Sequence, residues 1–325
     1  MPRRRTTLAV LAAIAAALVA SLSLPAIGSA QSRTNVIVGL GDQRASIFSD
    51  PNYQALGLKR ARYFIRWDAI RNPAALAAAD QYVAAAKAAG VKVLMHISTN
   101  NLAPRAAKLP TVSQYRRDVG ALVRRYKPQG VREWGTWNEA NHETQPTFRS
   151  ARRAAEFYKA MKGFCSGCTI VGLDILDQRS TRNPSIDFRN YISAFFRAAG
   201  SAGRSMTVVG IHNYSEVNRR YTKNTRDIIS AVRRYNGRAK FWYTETGGVA
   251  EFSTAFPCNV NRQANRTQYM FDLAKRFKTY VKRVYNYNYY GTDCSTRFDA
   301  GLVNANGTPR PAYNVYKANL AKFKQ

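Results

Sequence analysis

Two glutamates, each closing a run of strand-forming residues, hold the clearest chemistry in the chain. Glu139 lies in Trp134-Gly-Thr-Trp-Asn-Glu-Ala-Asn141 and Glu245 in Phe241-Trp-Tyr-Thr-Glu-Thr-Gly-Gly248. Paired carboxyl groups at strand ends suit the cleavage of a glycosidic bond. One protonates the departing oxygen, and the other attacks or stabilises the sugar carbon as positive charge develops on it. A glutamate at a strand end can equally be a solvated or ion-paired residue, so the surrounding elements decide between the two readings.

Those elements alternate with regularity. Apolar and β-branched runs of strand length occur at 36–40, 62–67, 91–96, 131–137, 169–174, 207–212, 240–244 and 283–289. Segments rich in helix formers separate and follow them at 73–89, 111–126, 148–164, 188–199, 225–235, 261–280 and 311–323, with Pro73 and Pro311 suited to first helical turns. Eight such strands, alternating with helical segments over about three hundred residues, fit a closed parallel (β/α)8 (TIM) barrel, an α/β fold in a single domain. An open doubly wound sheet is the other arrangement, but Val38-Gly-Leu-Gly-Asp42 after the first strand lacks the rest of a dinucleotide fingerprint. No cofactor is expected.

In a barrel, the C-terminal strand ends converge on one face, and chemistry is assembled there. Those ends carry Asp42, Gln43, Arg66, Trp67, His96, Asn138, Glu139, Asp174, His212, Tyr214, Glu245, Tyr287 and Tyr289. Alternation along a strand puts Phe64 with Arg66, His212 with Tyr214, and Tyr243 with Glu245 on common faces.

At this point the chain resembles the clan-A retaining glycoside hydrolases, which share an Asn-Glu dipeptide ending strand four and a Glu ending strand seven. Within the clan it is most similar to family-39 and Asl1-like bacterial hydrolases, through Trp137-Asn-Glu139, His212-Asn-Tyr214 and Thr244-Glu-Thr-Gly247, and through the closing run 299–313. The resemblance implies Glu139 as acid/base and Glu245 as nucleophile. It also implies Asn138 on the sugar 2-hydroxyl, Arg66 and Tyr214 orienting Glu245, and His212 and His96 lining the subsite. Trp137 and Tyr289 are further substrate-side candidates. Two positions depart from the clan: Ala140 stands where Pro is common, and the eighth strand ends in tyrosines rather than Trp. A non-catalytic barrel that binds envelope or matrix polysaccharide is the rival reading. Intact Asn138, Glu139 and Glu245 favour the enzyme.

The rest of the composition bounds location and partners. With 46% hydrophobic residues the 325-residue chain can build a large core and is not disordered. Arg3-Arg-Arg5, an apolar run over 8–24 and Gly28-Ser-Ala30 have the parts of a secretory signal, so 1–30 is expected to be removed and 31–325 to form the catalytic domain. An uncleaved anchor is the alternative. Four cysteines suit export, with Cys165–Cys168 and Cys258–Cys294 the expected pairs; a redox Cys-x-x-Cys or a zinc site would be the other uses.

The net charge is +31, of which the three arginines of the signal carry three, leaving +28. Much of it falls on helical segments, for example Arg116, Arg117, Arg124, Arg125, Arg152 and Arg153. It serves solubility or adhesion to an acidic envelope polymer. No specific nucleic-acid motif accompanies it, and no membrane span is expected after signal removal.

Overall fold

A computed structural model describes residues 33–325. The expected signal segment, 1–30, lies outside the described residues. Eight parallel strands form the barrel: Thr34–Gly41, Arg60–Arg66, Lys92–Ser98, Glu133–Gly135, Thr169–Leu176, Val208–His212, Lys240–Thr246 and Val281–Tyr287, called the first to eighth strands below. Each pairs with the next, and the first pairs with the eighth from Ile37↔Arg283 to Gly41↔Tyr287, which closes the sheet. A short final strand, Phe323–Lys324, adds to the first strand outside the ring.

The outer helices start where side chains can answer their free amides. Asn72 accepts from the Ala75 N–H ahead of Pro73–Ala88. Thr111 and Gln114 form a capping box at the head of Val112–Tyr126, and Ser150, Asp187 and Asn259 cap three later helices. Their apolar faces cover the barrel in one continuous core that includes Ile65, Ile97, Tyr115, Phe157 and Phe271. Leu94, Val171, Val208, Trp242 and Tyr285 form a separate buried cluster.

The fourth strand is shorter than its apolar run suggests, with only Glu133–Gly135 in the ladder. Glu139 has φ 41°, in the left-handed region that a residue bearing a Cβ adopts at a cost. The chain there is held by isolated backbone bonds instead, from Asn138 N–H to the Ile97 carbonyl at 2.7 Å and from Ala140 N–H to that of Asp174 at 2.9 Å. Strain of this kind turns the glutamate out of the wall and is tolerated because neighbouring strands pin both sides.

Two disulfides are present, Cys165–Cys168 and Cys258–Cys294. The second staples the segments after the seventh and eighth strands, which also pair as a two-stranded antiparallel flap, Glu251–Phe252 with Phe298–Asp299. Among the described residues, no helix is long and apolar enough to cross a membrane.

Candidate active site

Glu139 and Glu245 meet at the C-terminal mouth of the barrel. A carboxylate oxygen of each, together with a ring nitrogen of His212, lies within 4.8 Å of the other two. Both glutamates line a cleft of about 390 Å3. Asn138 and Tyr214 line it too, and the Tyr214 hydroxyl donates to Glu245 Oε1 at 3.1 Å. The wall opposite the polar groups is aromatic, built from Phe64, Tyr287 and the flap residues Phe252, Phe256 and Phe298.

Beneath the carboxylates lies a buried polar layer. Arg62, from the second strand, is 1% exposed. Its Nη1 donates to Glu245 Oε2 at 2.6 Å, its Nη2 to Asn138 Oδ1, and its Nε to His96 Nδ1 at 3.3 Å. His212 bridges the other side, with Nδ1 3.1 Å from Glu139 Oε1 and Nε2 2.8 Å from Asp174 Oδ2. Asp174 also accepts from the Thr244 hydroxyl and from the Glu139 N–H at 3.3 Å. Two glycines make room for this layer. A Cβ at Gly135 would come within 2.1 Å of the His96 ring, and one at Gly210 within 1.9 Å of Asp174 Oδ1.

The electrostatics follow from burial and partners. Burial works against a charged His212, but the Asp174 and Glu245 charges and its hydrogen bonds to Asp174 and Glu139 outweigh it and push its pKa up to about 10. Burial dominates at His96, reinforced by Arg62 and His212 against the pull of Asp174, and brings it down to about 3. His96 is therefore neutral and His212 an imidazolium. Asp174 is held well below the usual carboxylate range, its burial penalty outweighed by the charge and hydrogen bond of His212 and by the charge of Arg62. Glu139 is also lowered: burial opposes its charge, and the His212 hydrogen bond and charge more than offset that. Glu139, His212 and Glu245 have the donor types of a metal site. Both His212 nitrogens already face carboxylates, and an imidazolium has no lone pair to offer, so a metal ion would have to displace its proton.

The sequence-predicted residues divide. Asn138, Glu139, Tyr214 and Glu245 come together in the cleft. His96 and His212 are fully buried in the supporting layer and do not line the cleft as expected, because their rings are taken up by Arg62 on one side and by Asp174 and Glu139 on the other. Arg66 does not reach Glu245. It points to the rim and pairs with Asp68 at 2.6 Å, and Arg62, one inward turn of the pleat deeper than Phe64, takes the role expected of it. Trp137 belongs to the core: it is 1% exposed, its ring stacks on Phe157 at 5.2 Å, and its indole N–H donates to Gln145. Tyr289 is likewise buried and donates to Asp50 at 2.7 Å, away from the cleft, where Tyr287 lines the wall instead. Arg62 was missed although its signal is plain in the sequence, an arginine two places before Phe64 on the inward-facing alternation.

Comparison with known proteins bears on the family and the barrel. The glycosyl hydrolase catalytic core family matches residues 112–316, well over half of the chain. The chain belongs to that family. No curated protein matches it. Solved glycoside hydrolases share its barrel. A family 39 glycoside hydrolase from Bacteroides cellulosilyticus WH2 has 15% identity and a TM-score of 0.57, over 90% of this chain and 64% of that one. Xylanase B from Clostridium stercorarium F9 has 16% identity and a TM-score of 0.58, over 86% and 96%. A glucosidase from Croceicoccus marinus has 13% identity and a TM-score of 0.64, over 90% and 66%. At these identities the likeness is one of fold. This glycosyl hydrolase core spans less than two thirds of the length of the family 39 enzyme.

Proposed function

We propose that this glycosyl hydrolase is an exported retaining glycosidase, acting on carbohydrate O-glycosides by double displacement with Glu245 as nucleophile and Glu139 as acid/base. The observation that carries the reading is the closeness of the two carboxylates, with oxygens within 4.8 Å of one another. Retaining enzymes hold their carboxyl groups about 5–5.5 Å apart, whereas inverting ones leave about 6.5–9.5 Å for a water molecule.

The supporting layer assigns work to each partner. Arg62 and Tyr214 both donate to Glu245, one to each carboxylate oxygen, and so fix its orientation for attack. Asn138 lines the cleft beside Glu139, where its amide can reach a sugar hydroxyl. The His212 imidazolium keeps Glu139 ionised in the free protein, which is the form that activates water in the second step. For the first step Glu139 must carry a proton. A bound sugar that displaces water from around the carboxylate raises its pKa and supplies that condition. Export is supported by the two disulfides.

The test is stereochemical and kinetic. NMR of a fresh digest should show the product with the anomeric configuration of the substrate. Glu245→Ala should abolish turnover on every substrate, and Glu139→Ala should spare aryl glycosides with good leaving groups, which need little protonation. An inverted product, or equal loss on activated and natural substrates, would defeat the assignment.

A further inference from the structure

The positive charge of the molecule is not evenly answered. On the outer helices, Arg117 pairs with Asp118 at 2.7 Å, Arg125 with Asp80 at 2.6 Å, and Arg153 with Glu156 at 2.9 Å. At one end of the cleft four arginines gather without such partners. Arg219 and Arg220 follow the sixth strand on the short helix and its cap, and Arg262 and Arg266 lie one turn apart on the helix Val260–Arg276. Among the described residues none of the four pairs with a carboxylate, although Glu251 stands on the adjoining flap.

Their arrangement is directed. The Arg219 guanidinium lies 5.0 Å from the centre of the Phe256 ring and that of Arg262 lies 5.4 Å from it, so one cleft-lining aromatic carries two cations. Arg266 is fixed by donating to the Asn218 carbonyl at 2.9 Å, and Arg262 by donating to that of Ala250 at 2.7 Å. The Arg262 Nε is buried with no acceptor. A buried donor left unpaired is costly, which is one more sign that this guanidinium is held in place by its surroundings. Burial lowers the pKa of both Arg262 and Arg266, and the neighbouring arginine lowers each further, so the cluster is held together against its own repulsion. An anion relieves that repulsion.

We propose that Arg219 and Arg262, backed by Arg220 and Arg266, form an anion subsite at the cleft rim, and that the glycan this protein acts on is a polyanion carrying carboxylate or sulfate groups. Phe256 holds the two guanidiniums side by side, where they can take the acidic substituent of a sugar in charge-assisted bonds. Arg219 lines the same cleft as Glu139 and Glu245, so the acidic chain is one that enters the cleft, not one held on the outer helices. The substrate class rests on the glycosidase reading; the anion subsite does not.

The experiment measures binding of the full chain, as exported, to unmodified dextran, carboxymethyl dextran and dextran sulfate. An Arg219→Gln/Arg262→Gln pair is compared with an Arg116→Gln/Arg124→Gln pair on an outer helix. Wild type should bind the charged dextrans more tightly than dextran, and the rim pair should weaken that binding about tenfold or more, the worth of one lost charged hydrogen bond at least. The outer pair should change it by less than about twofold, as exposed and screened charges do. The carboxymethyl and sulfate arms report which anion is preferred. Equal losses from the two pairs, no loss from the rim pair, or a duplex DNA fragment outcompeting both charged dextrans at equal charge would each overturn the subsite. Hydrolysis of neutral aryl glycosides is read separately. A protein that cleaves nothing but loses charged-dextran binding with the rim arginines keeps the subsite and loses the glycosidase reading.

Discussion

His212 gives the protein a dependence on alkaline pH that can be isolated by one substitution. Its ring is fully buried between Asp174 and Glu139, and its pKa is pushed up to about 10 against an ordinary 6.5. A raised folded-state pKa means that the stabilisation is complete below about pH 6.5 and is lost as pH climbs toward 10, because over that window the unfolded chain has released a proton that the folded chain keeps. The slope is about 1.4 kcal/mol per pH unit, so roughly 3 kcal/mol should disappear between pH 7 and 9 from this group alone. The assay is urea unfolding at half-unit steps from pH 6.5 to 9, comparing wild type with His212→Gln. Wild type should lose stability steeply. The variant should begin several kcal/mol lower, since Asp174 keeps a buried charge without its main partner, and should fall with a much flatter slope. Tyrosines and lysines titrate in both proteins and cancel in the difference. Without the imidazolium, the pKa of Glu139 should also rise, moving the alkaline limb of the pH–rate profile upward. Parallel stability slopes in the two proteins, or an NMR titration of the His212 ring near its ordinary value, would refute the charged His212–Asp174 pair.

Two further expectations follow from the same layer and from the flap. Arg62→Met should destabilise by roughly 3–5 kcal/mol, the cost of leaving a buried carboxylate unpaired, and should lower kcat far more than it raises KM; a variant as stable and active as wild type would remove Arg62 from its position under Glu245. Cys258→Ser/Cys294→Ser should lose about 3–4 kcal/mol on the chain-entropy account of a 36-residue separation, read as a lowered midpoint of thermal unfolding, and an unchanged midpoint would show that the flap pairing alone holds those segments.

The barrel was legible because its signals are local and repeat. Eight strand runs alternate with seven helix-forming segments, and the observed helices begin at the capping residues and prolines that the sequence displays, as at Thr111, Pro73 and Pro311. The fourth strand is the exception. Its apolar run continues to Trp137, but hydrophobicity cannot report that the ladder stops at Gly135 or that Glu139 takes a left-handed conformation beyond it. The fate of Trp137 and Tyr289 was hidden for a related reason. An aromatic near a strand end can turn either to the cleft or to the helices, and the partners that draw these two away, Phe157 and Asp50, are distant in sequence.

Depth along a strand is the quantity alternation leaves open. Arg62, Phe64 and Arg66 face the same way, so the pleat alone makes each of them a candidate for Glu245. Parallel strands in a closed barrel are staggered by its shear, and a level inside the ring therefore cuts successive strands at different distances from their ends. Glu245 sits near the end of its strand while Arg62 lies four residues before the end of its own. Arg66 would be the partner only if the strand ends lay in one flat ring. The glycines offered a correction. Gly135 and Gly210 leave space for His96 and Asp174, and a missing Cβ at an inward position of a barrel strand marks the level at which large polar side chains fill the interior. At that level buried charges must be paired, and the deep arginine is the partner that a buried carboxylate requires. A search of inward positions for glycine opposite a histidine or acid would have led from Gly135 to His96, from His96 to its donor Arg62, and from Arg62 to Glu245.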